Sequence, residues 1–137
     1  MAFIARKVEY FHANLTGGSD NAYDSLTHIA SLGANLLALV TVPMGPDSIQ
    51  FTLFAENPRK LQSIARDAKL ALDGPHEAVL VQGADELGAI ARVHVLLREA
   101  GVDCYASSGV TDGHGYFGYI LYVRPGDADR ATKALAG

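Results

Sequence analysis

Residues 77–123, EAVLVQGADELGAIARVHVLLREAGVDCYASSGVTDGHGYFGYILYV, hold the pattern from which the rest of the chain can be read. Glu77 to Gln82 is an apolar run of strand length, and Gly83-Ala84-Asp85-Glu86 reads as a turn. From Leu87 to Ala100, the residues Ile90, Val93, Leu96 and Leu97 recur at the spacing of one helix face. Gly101 stands where a glycine closes a helix. Val102 to Val110 then predicts a strand, Thr111-Asp112-Gly113-His114-Gly115 a turn, and Tyr116 to Val123 the second strand of a hairpin. Pro125-Gly126-Asp127 leads into a short helix ending at Leu135. The order is β-α-β-β-α.

The first half repeats this order and adds a strand. Lys7 to Leu15 alternates as a strand, and Thr16-Gly17-Gly18-Ser19-Asp20 is a turn ending in good helix caps. Asn21 to Leu32 predicts a helix through Ala22, Leu26, Ile29 and Leu32, closed by Gly33. Ala34 to Val42 and Ser48 to Ala55 predict a hairpin around Pro43-Met44-Gly45-Pro46-Asp47. Asn57-Pro58 opens a second helix carrying Leu61, Ile64 and Ala65, because Asn caps well and Pro suits the first helical position. Lys69 to Asp73 is a short fourth strand, ended by Gly74-Pro75.

A shift of 68 residues superposes the halves without a gap from Tyr10 to Glu56, placing Gly33 on Gly101 and Gly45 on Gly113. The repeated order of elements supports an internal duplication more strongly than the few identities do. The expected fold is therefore α+β: two tandem ferredoxin-like βαββαβ units, residues 1–73 and 74–137, with helices on one face of each antiparallel sheet. The second unit stops after its second helix and lacks its last strand, which predicts a vacant sheet edge. Units this small have thin cores. Thin cores and a vacant edge together predict a homodimer or higher homo-oligomer.

Composition narrows the function. Hydrophobic residues make up 49% and charged ones 19%, enough apolar material for packed cores and too little charge for a disordered chain. A net charge of −4 argues against a nucleic-acid partner, which calls for a basic stripe, and against an acidic membrane surface. No apolar run reaches the length of a membrane span, and no signal-peptide core follows Met1 to Lys7. A single cysteine, Cys104, excludes an intrachain disulfide. A cytoplasmic location is expected.

Residues 79–123 resemble the ACT domain, a ligand-binding regulatory module of amino-acid metabolism. The resemblance rests on a strand, a short loop, the glycine Gly88 opening a helix with Ile90 after it, a helix end Ala100-Gly101-Val102-Asp103, and a hairpin. The first half matches more loosely: Gly33-Ala34-Asn35 stands at the helix end, and Asp20 replaces the helix-opening glycine. The resemblance implies a non-catalytic protein that binds a small molecule, often an amino acid, at an interface between such units. It implies a site built from Leu87 and Gly88, with Asp20, Asn35 and Asp103 as further contacts. A helix start offers free N–H groups to a carboxylate, and a glycine lets the backbone come close. Asp103 and Asn35, at strand starts, would meet an ammonium or amide from a neighbouring unit. An alternative is a regulatory subunit that docks on a metabolic enzyme and binds no free ligand.

Catalytic chemistry finds little support. None of His12, His28, His76, His94 and His114 pairs with another at helical metal-ligand spacing, so no metal site is expected. Asp112 and His114 share a hairpin tip, where a solvated turn is the plainer reading. There is no nucleophile elbow and no phosphate loop, and no cofactor is implied. Tyr116, Phe117, Tyr119 and Tyr122 resemble an RNA-binding aromatic strand, but the acidic charge favours core packing.

Overall fold

The computed structural model describes residues 3–136. Ten elements follow one another: β1 (Phe3–Thr16), α1 (Gly18–Ser31), β2 (Leu36–Pro43), β3 (Ser48–Ala55), α2 (Pro58–Asp67), β4 (Asp73–Ala84), α3 (Ala89–Glu99), β5 (Cys104–Thr111), β6 (Tyr116–Val123) and α4 (Ala128–Ala136). The fold is α+β on the ferredoxin-like plan. Contacts divide the chain into two compact units, residues 9–76 and residues 77–136 joined by 3–8.

In the unit 9–76 the strand order is β2-β3-β1, all antiparallel, with Thr41 opposite Phe51 and Phe11 opposite Leu53. Phe11, Ala13 and Leu15 alternate along β1 and pack with Phe51, Leu53 and Ala55 against Ala22, Ile29, Leu61 and Ile64 of the helices. On the other face Tyr10 lies against Phe54, ring centroids 5.0 Å apart, and against His76 at 5.2 Å. Asn57 caps α2 as its sequence predicts, its side-chain oxygen accepting the Lys60 N–H at 3.1 Å.

In the second unit the order is β4-β6-β5. Val79, Val81, Leu121 and Val123 of the sheet meet Val93 and Leu97 of α3 and Ala131 and Leu135 of α4. Among the described residues α4 is the last element of this unit. Residues 3–8 stand in for it: Phe3 and Ala5 pack against its core, and Lys7 Nζ lies 3.1 Å from both Glu77 and Asp129. These two carboxylates hold the Lys7 ammonium above its ordinary pKa of 10.5, Glu77 contributing most. In the strand order β1 is the neighbour of β4. The sheet position expected to be vacant is thus filled from within the chain, and it gives no reason for self-association.

Two stretches differ from expectation for identifiable reasons. The strand expected over Lys69 to Asp73 does not form before Asp73; Lys69 takes φ 59 after α2, and Leu70 N–H returns to the Ala65 carbonyl at 2.8 Å, closing the helix. Gly74-Pro75 does not break the sheet, because β4 runs through it from Asp73 to Ala84. Gly74 has φ 141, and a Cβ there would come within 2.9 Å of the Tyr10 carbonyl oxygen. The glycine therefore serves close approach of the chain rather than a turn. β1 likewise begins at Phe3 rather than Lys7.

Candidate functional site

The site begins where β4 ends. Asp85 N–H donates to the Gly115 carbonyl at 2.8 Å, which fixes the strand exit to the β5–β6 turn. Glu86 N–H turns back to Ala84 at 2.9 Å, and its own carbonyl accepts from Ala89 N–H at 3.1 Å. Gly88 then adopts φ 84 as the cap of α3, a conformation that an L side chain would strain, and no side chain caps the helix. The first intrahelical bond is Arg92 N–H to Gly88 at 2.9 Å, which leaves Ile90 and Ala91 N–H without intrahelical acceptors.

This helix start faces a cleft of about 350 Å³. Asp85, Glu86, Ala89 and Ile90 line one side, and Gly109, Thr111, Phe117 and Tyr119 the other. Asp85 and Glu86 are exposed, while Phe117 and Tyr119 are buried. Tyr119 is tethered at its hydroxyl, which donates to Ser107 Oγ at 2.9 Å and lies 2.6 Å from His94 Nε2. With the phenol donating to Ser107, the imidazole N–H is the donor to the phenol oxygen. The cleft is therefore lined by the positive end of α3, two acidic residues and two buried aromatic ones. Its volume lies at the small end of the range for small-molecule sites.

The expected site residues are dispersed. Leu87 and Gly88 lie between the lining residues Glu86 and Ala89, with Leu87 fully exposed. Asp20 sits inside the first turn of α1, exposed, because that helix opens at Gly17. The Asn35 amide donates to the Glu56 carboxylate, beside a separate cavity of about 130 Å³ that includes Lys60 and Asn57. Asp103 follows the far end of α3, its carboxylate 3.8 Å from Arg124 Nη2, in a third cavity with His94, Arg98 and Cys104. Asp85, Glu86, Gly109 and Thr111 are not among the site residues expected from the sequence, and Tyr119 is read there only as an aromatic strand residue that packs in the core. One signal for them exists: Gly109 interrupts a strand, which often marks a close approach. Among the described residues no three His, Cys, Asp or Glu are grouped to hold a metal ion, and no helix is long and apolar enough to cross a membrane.

Fold and cleft together define a pair of ferredoxin-like units of ACT-like form. The chain shares this fold with the regulatory subunit of aspartate kinase from Thermus thermophilus, at a TM-score of 0.66 and 9% identity over 99% of this chain and 95% of that one. A protein from Bacteroides thetaiotaomicron is similar at a TM-score of 0.78 and 19% identity, over 96% and 88% of the two chains. Escherichia coli aspartokinase III, solved in complex with lysine and aspartate, is similar at a TM-score of 0.52 and 14% identity, the likeness covering 99% of this chain and 32% of that one. No family model matches the chain, and no curated protein matches it in sequence.

Proposed function

We propose that the chain is a non-catalytic, cytoplasmic regulatory protein that binds an amino acid in the cleft at the start of α3. One observation carries this reading: the start of α3, at Ala89 and Ile90, and the acidic residues Asp85 and Glu86 line one cleft together. The first suits a ligand carboxylate and the second a ligand ammonium, so the two ends of a zwitterion are both matched. The Escherichia coli enzyme of similar fold, solved with lysine and aspartate, supports the ligand class. Leu87, Gly88 and Asp85 form the entrance, and Asp20, Asn35 and Asp103 contact ligand only where a second copy brings them to it.

The protein works as a homodimer. β5 ends the strand order and leaves Tyr105 63% and Val110 75% exposed, so a second copy has an apolar edge to cover. Sedimentation at micromolar concentration is expected to give the dimer mass, and Val110→Lys the monomer.

A thermal-shift panel of the twenty amino acids at millimolar concentration tests the binding. Ligand at a hundred times its Kd adds about 2.7 kcal/mol, a shift readily seen in a chain of this size. The shift is expected to vanish in Gly88→Val and to shrink in Asp85→Asn. Silence across the panel, with co-purification of a larger enzyme at fixed stoichiometry, would support the docking-subunit alternative instead.

A further inference from the structure

From Tyr10 to Glu56 the first unit corresponds residue for residue to the second at the shift of 68, and the structure keeps that correspondence in its bonds. Gly17 N–H donates to the Asp47 carbonyl at 3.1 Å as Asp85 does to Gly115 at 2.8 Å. Ser31 and Glu99 end equivalent helices, and the pair Thr41 opposite Phe51 stands where Gly109 lies opposite Tyr119. Differences between the units are therefore local and can be located to single residues.

Two of them fall on the cleft. The helix α1 runs for 14 residues from Gly18, whereas α3 runs for 11 from Ala89. Since both end at the same place, α1 begins almost a full turn earlier. That extra turn uses the residues whose counterparts, Glu86 to Gly88, form the open loop at the mouth of the cleft. The second difference is Gly109. A Cβ built on it comes 2.7 Å from Tyr119 Cδ1, so the ring lies where any side chain on that strand position would stand. Tyr119 is held in this pose by His94 and Ser107. In the other unit the four counterparts are Thr41, Phe51, Leu26 and Leu39. Threonine there has the Cβ that the pose excludes, and Phe51, Leu26 and Leu39 have no polar atom with which to form the tether.

We infer that each chain binds one ligand, in the unit containing α3 alone, and that Gly109 and Tyr119 are the positioning residues that shape its site. The unit 9–76 carries no equivalent site, because its helix starts a turn early and Thr41 replaces the glycine. The inference rests on the proposed binding function and adds its stoichiometry and the residues that decide it.

Isothermal titration calorimetry tests it with the amino acid, among the twenty, that shifts the wild-type melting temperature most. One ligand per chain is expected. Tyr119→Phe keeps the ring and removes the tether, and should weaken binding with the stoichiometry unchanged. Gly109→Thr installs the other unit's residue and should weaken binding more than about tenfold. Thr41→Gly should leave both affinity and stoichiometry as they are. Far-UV circular dichroism confirms that each variant is folded; should Gly109→Thr fail to fold, the wild-type stoichiometry and Tyr119→Phe still decide. Two ligands per chain, loss of binding in Thr41→Gly, or full affinity in Tyr119→Phe and Gly109→Thr would each overturn the inference. A wild-type protein indifferent to all twenty amino acids would instead remove the binding function itself, a result distinguishable from the others.

Discussion

Cys104 shows how a local environment sets the chemistry of one side chain. It opens β5, half-buried, and its thiol donates to the Ala106 carbonyl at 3.0 Å. Burial pushes its pKa above the ordinary 9.0, outweighing backbone hydrogen bonds at Ala106 and Tyr122 that act the other way. Because only the thiolate attacks an alkylating reagent, a raised pKa lowers the reactive fraction at every pH below it. Alkylation by iodoacetamide at about pH 8 should therefore be slower in the folded protein than in guanidinium-unfolded chain. The folded rate should go on rising with pH after the unfolded rate has levelled off, since the folded pKa is the higher one. Equal rates in the two states would mean that the strand start does not shield the sulfur. The same physics argues against Cys104 as a nucleophile.

At the scale of elements, β4 is the instructive case, because its sequence contains two strand-breaking residues and the strand continues. Gly74 sits over the Tyr10 carbonyl with the Phe11 ring 3.0 Å from where its Cβ would be. Gly74→Ala combines a disfavoured φ with an overpacked contact, and should destabilise the protein by about 1–3 kcal/mol, seen as a lower urea midpoint. An unchanged midpoint would mean that β1 and β4 can part locally without loss. The periodicity of α2 and α3, the Asn57-Pro58 cap, and the strand pairs around the two hairpins were all readable from sequence, because each rests on short-range spacing. The destination of residues 3–8 was not, since nothing local in Phe3 to Val8 says which unit they join. The site divides the same way. Gly88 at a helix start is a local signal, whereas Gly109 and Tyr119 acquire their meaning only once β5 and β6 pair and bring the ring across the strand.

At the scale of the whole molecule, the path of the chain between the two units has thermodynamic consequences. It passes from one unit to the other at Val8–Glu9, inside β1, and again at His76–Glu77, inside β4. Each unit therefore draws on a strand that continues into the other. A unit of this size buries too little surface to be more than marginally stable alone. If residues 9–76 unfold, β1 loses its order as far as Glu9, and residues 3–8 are left to hold their place with a few contacts, including the exposed Lys7 pairs that add little. Loss of those residues would take Phe3 and Ala5 away from the core of the remaining unit. The two units should accordingly unfold in one transition despite having separate cores. Urea titration followed by amide resonances checks this: Leu53 and Leu121, each fully buried in a different core, should share one midpoint. Gly74→Ala, a change within the unit 9–76, should then lower the Leu121 midpoint as much as that of Leu53. Two separate midpoints, or a shift confined to Leu53, would show that the shared strands do not couple the units. In that case residues 3–8 fasten to the second unit strongly enough to stand without the rest of β1.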